Sequence, residues 1–301
     1  MDGVIILKNA DFSAKNIGKI NLLSNTTKNI LAKQRKYSAD SEQAAVINEC
    51  VNELTAKGYI GGNDPLLKVL MLPCLAASLD EAFYNIARVN EEGHPIDWKP
   101  ENTEPYAIEN GNLYCSASLG TEWRVPDNRC FSLGEELFIA GQSLPEFSII
   151  HYLDKVAQDG VNTQEKNVVA SVTTALEIIK CGCKATISHG TAFNVSVQTD
   201  DYSENAVMEK GFYGMSVLNN DNYRGLMLNC NGKTASTESQ FGNLPTNTTD
   251  ISICNNNFAL LQGATIGTRA KAKMIAFGKG MTPAQMAELK SICDTFFNSL
   301  A

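Results

Sequence analysis

From about residue 100 onward the chain repeats one device, a short apolar segment with period-two alternation followed by a turn rich in asparagine. Phe147 and Ile149 share a face, and Val168-Val-Ala-Ser-Val-Thr-Thr-Ala-Leu is rich in strand formers. Phe193, Val195 and Val197 alternate with Asn194, Ser196 and Gln198. Gly211-Phe-Tyr-Gly-Met-Ser-Val-Leu, Leu226-Met-Leu-Asn-Cys, Ile251-Ser-Ile-Cys and Lys273-Met-Ile-Ala-Phe continue the series. Alternate residues of a strand point to opposite faces, so each segment predicts a strand with one face turned to a core. The separators Asn219-Asn-Asp-Asn222, Asn229-Cys-Asn-Gly232 and Asn255-Asn-Asn257 suit turns, because Asn tolerates left-handed backbone and bonds its own main chain. Asn231-Gly232 predicts a two-residue hairpin. Many short antiparallel strands predict a β-sandwich or jelly roll over residues 100–301.

Helices flank this β region. Residues 1–37 predict a short Val4–Leu7 strand and an extended tether, hence an N-terminal arm. Residues 38–99 predict a helix-and-strand connector packed on the sandwich. Ser38 caps a helix whose stripe is Val46, Cys50, Val51 and Leu54, and Gly58 ends it. Leu66 to Leu72 predicts a buried strand stopped by Pro73, and Ser78-Leu-Asp-Glu81 is a capping box opening a helix over 79–89. At the far end, Thr282-Pro-Ala-Gln285 caps an amphipathic helix over 283–300, with its stripe on Met286, Leu289, Cys293, Phe296 and Leu300.

Charge and cysteine usage narrow the function classes. The net charge of −8 conceals an asymmetry: seven basic residues (Lys8, Lys15, Lys19, Lys28, Lys33, Arg35, Lys36) stand against Asp2 and Asp11 in residues 1–37. The rest of the chain is therefore strongly acidic, which disfavours sequence-independent nucleic-acid binding. No apolar run reaches the roughly 18 residues a membrane helix requires, so no membrane insertion is expected. The Val4–Leu7 block is too short for a secretory signal, so folding in a cytoplasm is expected. Nine scattered cysteines then predict free thiols; Cys181-Gly-Cys183 could supply two zinc ligands, but no second pair stands at ligand spacing.

The sequence lacks the local motifs of the common hydrolase and phosphate-binding sites. The alternating E-x-D-x-x-E carboxylates of sandwich glucanases are missing, and Asp200-Asp201-Tyr-Ser-Glu204 reads as a solvated loop. His94, His151 and His189 are isolated and predict satisfied structural roles, and there is no G-x-S-x-G, P-loop or H-E-x-x-H. No catalytic residue, metal or cofactor is expected. Trp98, Trp123, Tyr202, Phe212, Tyr213 and Tyr223 fall near predicted loops or strand ends, where they serve either the core or sugar stacking.

Two ends of the chain carry a resemblance. Ile5-Ile-Leu-Lys-Asn-Ala-Asp-Phe-Ser-Ala-Lys-Asn-Ile-Gly-Lys19 resembles the leader of virion structural proteins from phages and prophages of gut Bacteroidales, including the crAss-like group. The stretch from Ile266-Gly-Thr-Arg through Gly278-Lys-Gly-Met-Thr-Pro-Ala-Gln285 to Phe296-Phe-Asn-Ser-Leu300 resembles that family's ending, a last strand running into an amphipathic helix. The resemblance implies a concanavalin A-like lectin/glucanase sandwich on a virus particle, as part of a tail or head fibre. It implies other virion proteins as partners of the arm, through Val4, Ile5, Ile6, Leu7, Phe12 and Ile17. It further implies a homo-oligomer, a trimer as first expectation, and a host-surface glycan as ligand, with glycan-binding residues unassigned. A decoration protein that binds no sugar and a capsule depolymerase are the alternatives.

Overall fold

The computed structural model describes residues 22–87, 106–115, 131–132, 146–155, 167–172, 177–182, 184–189, 193–200, 209–220, 223–239, 241, 257–260 and 271–300. In chain order the elements are α1 (Asn25–Lys33), α2 (Glu42–Ala56), β1 (Leu67–Met71), a 3-10 turn at Pro73–Leu75, α3 (Leu79–Ala82), β2 (Tyr106–Glu109) and β3 (Asn112–Cys115). There follow β4 (Phe131–Ser132), β5 (Phe147–Lys155), β6 (Asn167–Val172), β7 (Glu177–Gly182), β8 (Lys184–His189) and β9 (Phe193–Gln198). The last are β10 (Gly211–Asn219), β11 (Arg224–Cys230), β12 (Lys233–Glu238), β13 (Asn257–Leu260), β14 (Lys271–Gly278) and α4 (Pro283–Leu300). The fold is mainly β with flanking helices, as the alternation predicts.

An eight-stranded antiparallel sheet runs β12-β11-β10-β5-β14-β3-β2, and the remaining edge of β14 is completed by β1. A six-stranded sheet runs β4-β13-β6-β7-β8-β9. The two face each other across a core of Phe147, Ile149, Leu153, Met215 and Val217 from one side and Cys181, Ala185, Ile187, Val195 and Val197 from the other. A second core lies on the opposite face of the larger sheet, where Ile150, Phe212, Met274 and Ala276 meet Ile47, Val51 and Leu54 of α2 and Met286, Leu289, Cys293 and Phe296 of α4. The larger sheet is thus covered on both faces, and β10 is buried over eight consecutive residues. That is the pattern of a sheet sandwiched between two layers, where alternation disappears.

Several local expectations change. Residues 22–37 are not a tether. Ser24 caps α1, and Ile30 and Leu31 are buried in the helical core with the buried side chain of Gln34, which donates to the carbonyls of Leu72 and Glu81. The cap of α2 is Ser41, whose hydroxyl accepts from the Ala44 N–H, while Ser38 bonds Asp40. The helix expected over 79–89 is only Leu79–Ala82, with no side-chain cap from Ser78. Glu81 is drawn away to Arg35, and Asn85 stops the helix by accepting from Leu70 N–H and donating to the Lys68 carbonyl. The buried strand expected over Leu66 to Leu72 is present as β1, and it joins the larger sheet. The β-rich segment at 251–254 lies outside the described residues, and β13 follows at Asn257–Leu260.

Two-residue turns close two hairpins. Asn231 and Gly232 hold positive φ (52° and 96°) between the paired residues Cys230 and Lys233, as expected. Asn110 and Gly111 do the same (54° and 78°) between Glu109 and Asn112, in a stretch that reads on sequence as merely polar. α4 opens on the predicted box: Thr282 Oγ1 accepts from the Gln285 N–H, and the Gln285 side chain accepts from the Thr282 N–H.

Candidate functional site

Over its described side chains β9 alternates strictly. Val195 and Val197 are buried, while Asn194, Ser196 and Gln198 are exposed. On the adjacent strand β8, Ala185 and Ile187 are buried, while Lys184 and Thr186 are half-exposed. Register aligns these outward residues into cross-strand pairs, Lys184 with Gln198 and Thr186 with Ser196, and sets Asn194 opposite position 188. Such pairs lie about 5 Å apart across the strands and repeat about every 7 Å along them. Among the described side chains the result is an array of amide and hydroxyl groups with Lys184 at its end, and register sets Lys180 of β7 opposite Thr186. Amides and hydroxyls both donate and accept, so Asn194, Ser196 and Gln198 can bond a neutral polyhydroxylated ligand. β9 also lies beside β12, an edge strand whose Ser236 is exposed, which extends the polar surface around the side of the sandwich.

A concavity of about 380 Å³ is lined by Leu22, Leu23, Ala39, Ser41 and the exposed Glu42 and Glu49 of α2. Leu22, 81% exposed, stands at its rim. The hydroxyl of Ser41 is engaged at the cap of α2, where it donates to the Ser38 carbonyl and accepts from the Ala44 N–H.

The sequence candidates distribute as follows. Val4, Ile5, Ile6, Leu7, Phe12 and Ile17 lie outside the described residues, as do His94, Trp98, Trp123, Tyr202 and Cys183. Phe212 and Tyr213 belong to the two cores and present no face to solvent. His151 is fully buried, but the expectation of a satisfied histidine fails: neither ring nitrogen has a hydrogen-bond partner. Its ring stacks on Tyr213 with centroids 5.5 Å apart. Cys50, Cys74, Cys181, Cys230 and Cys293 are buried free thiols, and burial pushes Cys74 up to about 12, which keeps it protonated and inert.

Two carboxylates elsewhere, Asp154 and Glu288, are committed to ion pairs. Burial pushes Asp154 upward, but Lys273 at 3.0 Å, Lys210 at 3.8 Å and the Asn112 amide hold it below the usual carboxylate range. Glu288 is likewise held low, first by the hydrogen bond from Lys57 and then by the Tyr59 hydroxyl. General acids need the opposite, a carboxyl raised toward neutrality. Among the described residues no group of three or more His, Cys, Asp or Glu side chains could hold a metal ion, and no helix is long and apolar enough to cross a membrane.

No protein-family model and no curated protein matches this chain. Among solved structures, the chain is similar to the CBM40 of the Ruminococcus gnavus IT-sialidase, at 8% identity and a TM-score of 0.29 over 50% of this chain and 84% of that one. It is similar to the sialidase of Trypanosoma rangeli in complex with 2,3-difluorosialic acid, at 11% identity and a TM-score of 0.31 over 86% of this chain and 40% of that one. A carbohydrate esterase of the Shiga toxin-encoding bacteriophage phi24B gives 9% identity and a TM-score of 0.22 over 46% of this chain and 69% of that one.

Proposed function

We propose that the chain is a non-enzymatic structural protein of a phage particle, whose sandwich presents the outer face of β8 and β9 to a glycan of the host surface. The observation that carries this reading is the exposed ladder of Thr186, Asn194, Ser196 and Gln198, placed on a sheet whose other side is a sealed apolar core. A face so rich in uncharged hydrogen-bonding groups suits sugar hydroxyls. A site on an open sheet face binds weakly, and a homo-oligomer on a particle compensates by presenting many copies at once. The leader and ending that resemble Bacteroidales phage virion proteins support the particle and the docking arm.

The test is a glycan array and a capsule-binding assay with the full-length oligomer and with the variants Ser196→Arg and Asn194→Ala/Gln198→Ala. Binding by the parent, weakened at least tenfold in both variants with the fold intact, is the expected result. Binding equal in all three proteins moves the site elsewhere. No binding at all favours a decoration protein, and release of reducing ends from capsule favours a depolymerase.

A further inference from the structure

We propose that the sandwich opens in acid: the six-stranded sheet leaves the eight-stranded sheet when His151 takes up a proton, while the helical layer stays docked. His151 lies in the middle of β5, between Tyr213 of β10 and Ile275 of β14. It shares the inter-sheet face with Phe147, Ile149 and Leu153. It is 0% exposed, and both ring nitrogens lack a partner. Among the described side chains around it, none offers a cation a negative charge or a hydrogen-bond partner in place. From β10 comes Tyr213, whose ring stacks on the imidazole with centroids 5.5 Å apart and whose neutral hydroxyl donates to the Glu209 carbonyl at 2.6 Å. From β14 comes Ile275, and from β7 comes Cys181, whose thiol points to the Ile149 carbonyl. Ala185 and Ile187 of β8 and Val195 and Val197 of β9 are uncharged. Asp154, on the same strand, is taken up by Lys273 and Lys210. A protonated imidazole here would be a buried charge without counter-ion or acceptor, so the proton is accommodated only once the sheets part.

The sign follows from linkage. Burial lowers His151 to about 3, whereas the opened state restores the ordinary value near 6.5. The open form therefore binds more protons throughout that interval, and closure is weakened as pH falls from about 6.5 toward 3. The opening constant rises about tenfold per pH unit across the window, on the order of 10³ in all. The helical layer is governed by different groups: Glu288 with Lys57 and Tyr59, and Glu81 with Arg35, each with its carboxyl held below 4.5. Hydrogen bonds favour the charged form of those carboxylates, whereas none favours a charged His151, so the sandwich core gives way first.

Hydrogen exchange read by mass spectrometry on the full-length chain from pH 7 to 3.5, normalised for intrinsic exchange, tests this. Peptides covering β8 and β9 are expected to lose protection in mild acid, reversibly and about tenfold per pH unit, while α4 peptides stay protected. In His151→Phe the β8–β9 loss is expected to vanish over the same range. Simultaneous loss at β9 and α4 overturns the proposal, as does an unchanged pH profile in the variant. Should the variant fail to fold, the imidazole resonance of His151 in the parent decides. A ring that protonates only in step with loss of β8–β9 protection supports the proposal, and one that protonates near 6.5 in the closed form overturns it.

Discussion

Glu81 shows how one side chain organises its neighbourhood. Its carboxylate accepts from the backbone N–H groups of Ala77 and Arg35 and from the Arg35 guanidinium, at 2.6–3.0 Å. Burial pushes its pKa up, but the Ala77 N–H and Arg35 pull it below the ordinary carboxylate value. A depressed folded value means that its contribution is present above about pH 4.5 and is lost as pH falls through the folded value. Glu81→Gln is expected to destabilise by about 1–2 kcal/mol at pH 7, since Arg35 is largely exposed and stays hydrated without its partner. Urea unfolding at pH 7 and pH 3.5 checks this, the difference between parent and variant shrinking at the lower pH. None of this was legible locally. Ser78 and Glu81 have the spacing of a capping box, and the competitor, Arg35, sits 46 residues away on the chain. His151 misleads in the same manner, because whether a buried histidine finds a partner depends on strands that sequence does not register.

At the scale of elements, the start of α4 was legible because its signal is entirely local. Thr282 and Gln285 bond each other's backbone within one turn, and Pro283 fixes the first helical φ. Thr282→Ala is expected to cost about 1 kcal/mol, read as a lowered urea midpoint with unchanged slope. Asn231-Gly232 succeeded on the same grounds, and Asn110-Gly111 carries an identical signal that its polar surroundings obscured. The exposed ladder of β9 was also readable, since period two alone separates Asn194, Ser196 and Gln198 from Val195 and Val197. What period two could not supply was the partner strand, and so the pairing of Thr186 with Ser196 that turns a row into a surface. Strand choice is a matter of non-local register.

At the scale of the molecule, the boundary of the arm moves. Residues 22–37 belong to the helical layer, with Ile30 and Gln34 at 0% exposure. Removing residues 1–37 would therefore cut into a core, whereas removing residues 1–21 spares every described element. Deletion of 1–21 is expected to leave the thermal midpoint within a few degrees and to abolish incorporation into particles, measured by calorimetry and by particle composition. Normal incorporation would remove the docking role from the arm. The two-sided burial of the larger sheet is the outcome of the helical segment and the C-terminal helix packing on the sandwich, as their apolar stripes predict. Its trace is the eight-residue buried run of β10, which lacks the polar alternation of β9.

The position of β14 has a consequence for synthesis. It lies between β5 on one edge and β1 with β3 on the other, so strands made near the start and in the middle of this sequence meet only through it. β5 emerges from the ribosome more than a hundred residues before its partner, with one edge unpaired and both apolar faces uncovered. Most of the larger sheet can zip β10, β11 and β12 onto β5 early, but it closes only when 271–278 arrive, and α4 seals it immediately afterwards. Such an open edge is a site for mispairing with another nascent copy. Residues 271–300 thus set the moment at which the larger sheet becomes safe from its neighbours.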